Sequence, residues 1–284
     1  MLAPTIVFAD DPANQELESV TLQLKWKHQF QFAGYYAALE QGFYEQEGLD
    51  VTILPLTEKR NVLEDVDAGK LNYAVGGSGI LAYYANGGQI RSLAAIFQHD
   101  ALVFLSKKSS GIISPYEMLG KRLMFDSISG DDAPLSAMLA DAHIKRDSFT
   151  LVQSDYTNQQ LIDGRVDVMS AYITNEPFKL KAQGVDVNII NPQSYGFDFY
   201  GDILYTSQAE IENHPGRAQR FRRASLKGWQ YALDHSEELI QLLKNKYNSD
   251  SSIEALRYEA QQTRKLILPD IIPLGNIEER RLRR

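Results

Sequence analysis

Trp26 stands in Leu24-Lys25-Trp26, ahead of a loop and turn carrying Phe30, Phe32, Tyr35 and Tyr36. An indole in that position stacks on a flat ring while its N–H finds a partner, or it closes a core at a strand end; both readings fit. Phe30 and Tyr35 join it as candidate ligand contacts. A second group, Tyr172-Ile173-Thr174-Asn175-Glu176-Pro177, brings a phenol, an amide and a carboxylate together. Glu176 ahead of Pro177 is placed to open a helix and complement its dipole. The same carboxylate can instead accept N–H bonds from a ligand, beside Asn175 and Tyr172. The loop Asp126-Ser127-Ile128-Ser129-Gly130-Asp131-Asp132 is acidic. One of its acids serves as a helix cap, but three set a field that disfavours an anion and favours a neutral or cationic ligand bearing N–H donors, with Asp126 and Asp131 as contacts. Gly76-Gly77-Ser78-Gly79 opens a helix with free N–H groups at the loop mouth, so Gly76 and Ser78 are candidates. A tight turn requiring glycine torsions explains the run equally well. His99, in Gln98-His99-Asp100, and Asp198, in an aromatic run from Tyr195 to Gly201, complete the set.

Covalent and metal chemistry are poorly served. The five histidines are scattered, with no pair four residues apart on a helix and no partner pattern for a nucleophile, and there is no cysteine. No catalytic residue, metal ligand or cofactor is expected. With 29 basic against 37 acidic residues, a net charge of −8 and no basic stripe, nucleic-acid binding is not expected either.

The elements that must position these groups alternate. Val20, Leu22 and Leu24 repeat with period two, a helical pattern starts near Ala33, and Val51 and Ile53 begin the next strand. The pattern predicts further strands at 71–75, 90–97, 102–106, 122–125, 149–152, 166–171, 185–190 and 202–206, with helices between most of them. Trp26, Gly76, Asp126 and Tyr172 then all follow the carboxyl ends of strands, where open parallel sheets bind ligands. From Ser207 helices dominate, at 215–235, 236–247 and 251–266, and the prolines of Leu266 to Leu274 predict an extended segment. At 284 residues and 44% hydrophobic composition the chain has ample core for two lobes. Lobe 1 is expected over 19–106 plus 204–276 and lobe 2 over 107–203, with strands 102–106 and 202–206 as the hinge. Residues 1–18 read as a leader: the apolar run Leu2 to Ala9 resembles the end of a signal peptide cut after Ala9, or an ordinary leader. Residues 277–284, with Glu278-Glu279 and four arginines, resemble the start of a juxtamembrane helix.

The run Leu24-Lys25-Trp26, the aromatic loop, and Gly34-Tyr35-Tyr36-Ala37-Ala38 through Gly42-Phe43-Tyr44 to Gly48-Leu49-Asp50-Val51 resembles the opening of the periplasmic solute-binding proteins related to the thiamine-pyrimidine synthase of yeast. The resemblance implies an α/β, type II periplasmic-binding-protein fold. Such a fold has two lobes, each with a mixed, mostly parallel sheet flanked by helices, joined by a two-strand hinge. It implies extracytoplasmic binding of a thiamine pyrimidine precursor, such as hydroxymethyl-aminopyrimidine or its formyl analogue, with Trp26 and Tyr172 stacking and Glu176 reading the N–H edge. The output is delivery to an ABC-transporter permease or signalling through a fused transmembrane module. The alternatives are a binder of riboflavin or another small amine, and a pyrimidine-synthesis enzyme on the same fold. The synthase uses its own histidine as substrate and carries a cysteine-rich iron motif; a chain without cysteine does not inherit that activity.

Overall fold

The computed structural model describes residues 16–56, 60–125, 132–155 and 157–282. The leader to residue 15 and the candidates Asp126 and Asp131 lie outside the described residues. Among the described residues ten strands form, with helices between most of them: β1 Glu18–Gln23, β2 Leu49–Leu54, β3 Tyr73–Gly76, β4 Ile90–Phe97, β5 Leu102–Lys107, β6 Arg122–Met124, β7 Thr150–Leu151, β8 Val168–Tyr172, β9 Val187–Ile190 and β10 Gly201–Ser207.

They form two five-stranded sheets, β2-β1-β3-β10-β4 and β7-β6-β8-β5-β9. In the first, β1 runs parallel to β2 and β3, whereas β10 is antiparallel to β3 and β4. In the second, β6 runs parallel to β7 and β8, and β5 is antiparallel to β8 and β9. The two orders are the same: each sheet takes its one antiparallel strand in fourth place. The loops after β1 and β6 are therefore equivalent, as are those after β3 and β8.

Sheet membership corrects the expected hinge. The strand from Leu102 pairs only within the second sheet, and Gly201–Ser207 only within the first. Backbone hydrogen bonds commit each strand to one lobe, so the crossings are residues 98–101 and 191–200. The carboxyl-terminal segment also differs from expectation. After helix Ile253–Ile267, Leu268 adopts a left-handed conformation (φ 55°) and accepts the N–H groups of Ile271 and Ile272, making a turn in place of an extended run.

The first core lies between its sheet and the carboxyl-terminal helices. Helix Pro215–Asp234 buries Ala218, Phe221, Ala224, Ser225, Gly228, Trp229 and Ala232, a stripe at helical spacing. That stripe meets helix Ala33–Glu40 very closely. A β-carbon on Gly228 would stand 2.1 Å from the Gly34 carbonyl oxygen, and one on Gly34 would stand 2.2 Å from the Trp229 ring. Phe221 stacks on Tyr73 of β3 at 3.9 Å between ring centroids. A separate apolar core around Phe104, Leu123, Leu135 and Val168 fills the second lobe. No helix among the described residues is long and apolar enough to cross a membrane.

Candidate functional site

The carboxyl ends of β1 and β8 meet between the lobes, and polar side chains from both converge there. Lys25, just past β1, places its ammonium 2.7 Å from Asp202 Oδ1. It also donates to the Tyr172 hydroxyl and lies 4.8 Å from the centroid of that ring. Gln31 Nε2 donates to Asp202 Oδ1 at 2.9 Å. Gln29 Nε2 donates to Gln31 Oε1 at 2.6 Å, and Gln29 Oε1 accepts from Asn175 Nδ2 at 3.1 Å. A continuous path thus runs from Asn175 through Gln29, Gln31, Asp202 and Lys25 to Tyr172, spanning the lobes at both ends. Lys25, Gln29, Gln31 and Asp202 belong to the first lobe; Tyr172 and Asn175 belong to the second.

Asp202 anchors this path under strain. It is 1% exposed and adopts φ 44°, a conformation that non-glycine residues rarely take. Its Oδ2 is buried with no hydrogen-bond partner among the described residues. Burial pushes the Asp202 carboxyl up, against the Lys25 ammonium and the Gln31 amide. For Lys25, burial pulls the ammonium down, but Asp202, Tyr172 and Asp100 outweigh it and hold the group well above its ordinary value. The 2.7 Å contact between the two groups is that of an ion pair.

Two further carboxyls flank the path. Glu259, on helix Ile253–Ile267, is 2% exposed and accepts the backbone N–H groups of Phe30 at 3.1 Å and Gln31 at 3.0 Å. Burial pushes its carboxyl up to about 8; the two N–H groups and Lys179 oppose this, and the nearby Glu176 adds to it. Glu176 accepts the Tyr172 N–H at 2.8 Å and opens helix Glu176–Ala182. Burial raises its carboxyl as well, against the Tyr172 N–H and Lys179. Tyr258, beside Glu259, donates to the Ile173 carbonyl at 3.1 Å and ties the same helix to the second lobe.

Tyr172, Asn175 and Glu176 are thus brought together, and Trp26 lies one residue from Lys25, half-buried against the first core. Phe30 and Tyr35 lie in the first core. Phe30 is 1% exposed within that core, and Tyr35 is fully buried with its ring edge-on to Trp229 at 5.8 Å. The chain turns into helix Ala33–Glu40 there, and apolar burial draws both rings inward. Gly76 is a packing glycine: a β-carbon would sit 3.0 Å from both Ile80 and Tyr205. Ser78 is buried, and its carbonyl accepts the Leu81 N–H at 3.0 Å in the first turn of the short helix Gly79–Ala85. Asp132 precedes helix Ala133–Asp141 without capping it through its side chain.

His99 and Asp198 meet at the crossings. His99 Nδ1 lies 2.7 Å from Asp198 Oδ1 and 3.0 Å from Gln193 Nε2. Arg281 Nη2 donates to the Gln98 carbonyl at 2.8 Å and to Asp198 Oδ2 at 3.1 Å, and its guanidinium lies 4.0 Å over the Tyr200 ring. One nitrogen of the carboxyl-terminal segment therefore holds both crossings. Among the described residues, no group of three or more His, Asp or Glu is placed to hold a metal ion.

Sequence reasoning missed Lys25, Gln29, Gln31, Asp202 and Glu259. Glu259 did leave a signal, since it shares the buried stripe of Leu256, Ala260, Thr263 and Ile267. A carboxylate on an apolar helix face needs a partner.

Residues 29–239 match the family described as NMT1/THI5 like. The riboflavin-binding protein RibY of Chloroflexus aurantiacus is 26% identical over 247 residues, covering 84% of this chain and 69% of that protein. The formylaminopyrimidine-binding protein of Halalkalibacterium halodurans is 25% identical over 266 residues, covering 92% of this chain and 78% of that protein. Among solved structures, the periplasmic aliphatic sulphonate binding protein SsuA of Escherichia coli superposes with a TM-score of 0.70 at 14% identity, covering 94% of this chain and 91% of that one. With its two equivalent mixed sheets, the chain has the periplasmic-binding-protein fold and belongs to the NMT1/THI5-like family.

Proposed function

We propose that the protein is a non-enzymatic, extracytoplasmic solute receptor. It would close its two lobes on a small flat nitrogen heterocycle and present the closed form to a membrane partner, either an ABC-importer permease or a fused signalling module. The observation that carries this reading is the polar path between the lobes, because it is assembled from both of them and exists only when they meet. The hinge on this reading is 98–101 and 191–200. Relatives that bind formylaminopyrimidine and riboflavin support a heterocycle, and the periplasmic description of the SsuA neighbour supports the location.

The electrostatics favour a neutral ring over an anion. The one ammonium on the path is matched by Asp202, while Glu176 and Glu259 add carboxyl oxygens, which accept N–H groups, and no positive charge. Trp26 and Tyr172 supply aromatic faces. Calorimetric titration with formylaminopyrimidine, hydroxymethyl-aminopyrimidine and riboflavin tests the proposal. Heat and a melting shift from one of them are expected, and Trp26→Ala and Glu176→Ala should each abolish most of that binding in a folded chain. No heat and no shift from any of the three would remove the heterocycle reading. The enzyme alternative predicts a modified histidine after incubation with iron, visible by mass spectrometry; an unmodified chain is expected.

A further inference from the structure

We propose that Lys25 is a resident cation: it fills an alkylammonium subsite between the lobes and thereby excludes amines from a cleft that admits neutral heterocycles. This deepens the receptor reading and rests on it for the identity of the cleft.

The groups around Lys25 Nζ are those that recognise a primary amine. A carboxylate oxygen, Asp202 Oδ1, stands 2.7 Å away; a hydroxyl, that of Tyr172, accepts a second N–H; and the same tyrosine's ring lies 4.8 Å from the nitrogen. Carboxylate, hydroxyl acceptor and aromatic face together form a general ammonium site. Asp202 is built in to serve it: 1% exposed, held at a positive φ, and steadied by Gln31. A buried carboxylate of this kind is costly unless a cation is present, and the chain supplies its own.

The placement of the partners decides the consequence. Lys25 and Asp202 both belong to the first lobe, so their ion pair does not depend on lobe closure, whereas the Tyr172 contact comes from β8 of the second. A ligand entering between the lobes therefore meets a site whose charge is already compensated. An amine must displace a tethered competitor at high effective concentration. A neutral ring need not, and can offer an acceptor to Lys25 or a face to Tyr172.

Chemical complementation tests this. Lys25→Ala removes three methylenes and the ammonium, which is n-propylammonium in composition. The full-length variant should melt below the wild type and be restored by n-propylamine in a saturable manner. 1-Propanol, its uncharged analogue, should not restore it. The variant should bind the amine on the order of a hundredfold more tightly than the wild type, the scale of an unpaired buried charge. Equal effects of amine on both chains, no effect on either, or rescue by propanol as well as by amine would each overturn the proposal. If Lys25→Ala folds only with difficulty, refolding yield with and without n-propylamine reads the same property: recovery with amine alone supports the proposal, and recovery with neither overturns it. The assay needs no heterocycle, so the resident-cation idea and the heterocycle reading can fail separately.

Discussion

Replacing Glu259 by glutamine should flatten one component of the pH dependence of stability. In the native chain this carboxyl is 2% exposed and pushed up from the ordinary 4.5 to about 8, chiefly by burial. The folded state therefore binds a proton that the unfolded chain has released, throughout the window between those values. A group raised on folding contributes stability that is complete below pH 4.5 and lost as pH rises through 8. Each pH unit in the window is worth about 1.4 kcal/mol, giving a ceiling of about 5 kcal/mol over its full width. Relaxation around the charged form reduces what is realised, so a differential of about 2 kcal/mol or more is expected between pH 5 and pH 9. Glutamine matches the neutral carboxyl in shape. The N–H groups of Phe30 and Gln31 use different oxygens of Glu259, so the amide leaves one of them facing an NH2 group. That costs about 1–3 kcal/mol, and the cost does not vary with pH. Urea unfolding of both proteins from pH 5 to 9 measures the difference. The variant should begin less stable and gain on the wild type as pH rises; two curves that stay parallel would refute a protonated Glu259.

Three further outcomes follow from the packing. Gly228→Ala in an exposed helix would gain about 1 kcal/mol, but here the new β-carbon meets backbone at 2.1 Å. Net destabilisation of about 2 kcal/mol or more is therefore expected in urea melts, and a neutral result would show that the helices are not in that contact. Leu268→Gly should relieve the left-handed turn at φ 55° and raise the melting temperature by the equivalent of up to about 1 kcal/mol; a fall in melting temperature would refute strain at that turn. Arg281→Ala should free the two crossings from one another. The chain has no cysteine, so spin labels can be placed on the two lobes at will; an unchanged distribution of distances between them would deny Arg281 a hold on the hinge.

The fold was legible because its signals are local and repeated. Period-two apolar runs give way to helical spacing at Ala33, Pro134 and Pro215, and each change marks an element that forms, within a residue of its start. The hinge was misplaced at 102–106 because pairing partners are not encoded in a strand's own pattern; only contacts with β8 and β9 assign it. Of the candidate site, the second-lobe side is compact in the sequence, where Tyr172, Asn175 and Glu176 fall within five residues. The first-lobe side is not. Lys25 looks like the solvent-facing member of an alternating strand, and Gln29 and Gln31 are hidden among aromatics. Asp202 and Glu259 arrive from distant elements, and their burial is a property of the assembled lobes. Phe30 and Tyr35 lie buried in the core for the opposite reason: an aromatic at a strand end is drawn to the core as readily as to a ligand.

Strand β10 is buried along all seven residues and lies inside the first sheet, between β3 and β4. Its neighbours are made long before it. The strands of the second sheet, β5 to β9, are consecutive in the chain, so that sheet has every part it needs before β10 is available. Until then β3 and β4 can bring only unsatisfied edges toward each other, a state exposed to wrong pairing. Closing the first sheet requires contacts of large sequence separation, which form slowly. The lobe that begins at the amino terminus is consequently the last that can be completed, and the step that completes it also delivers Asp202 to Lys25.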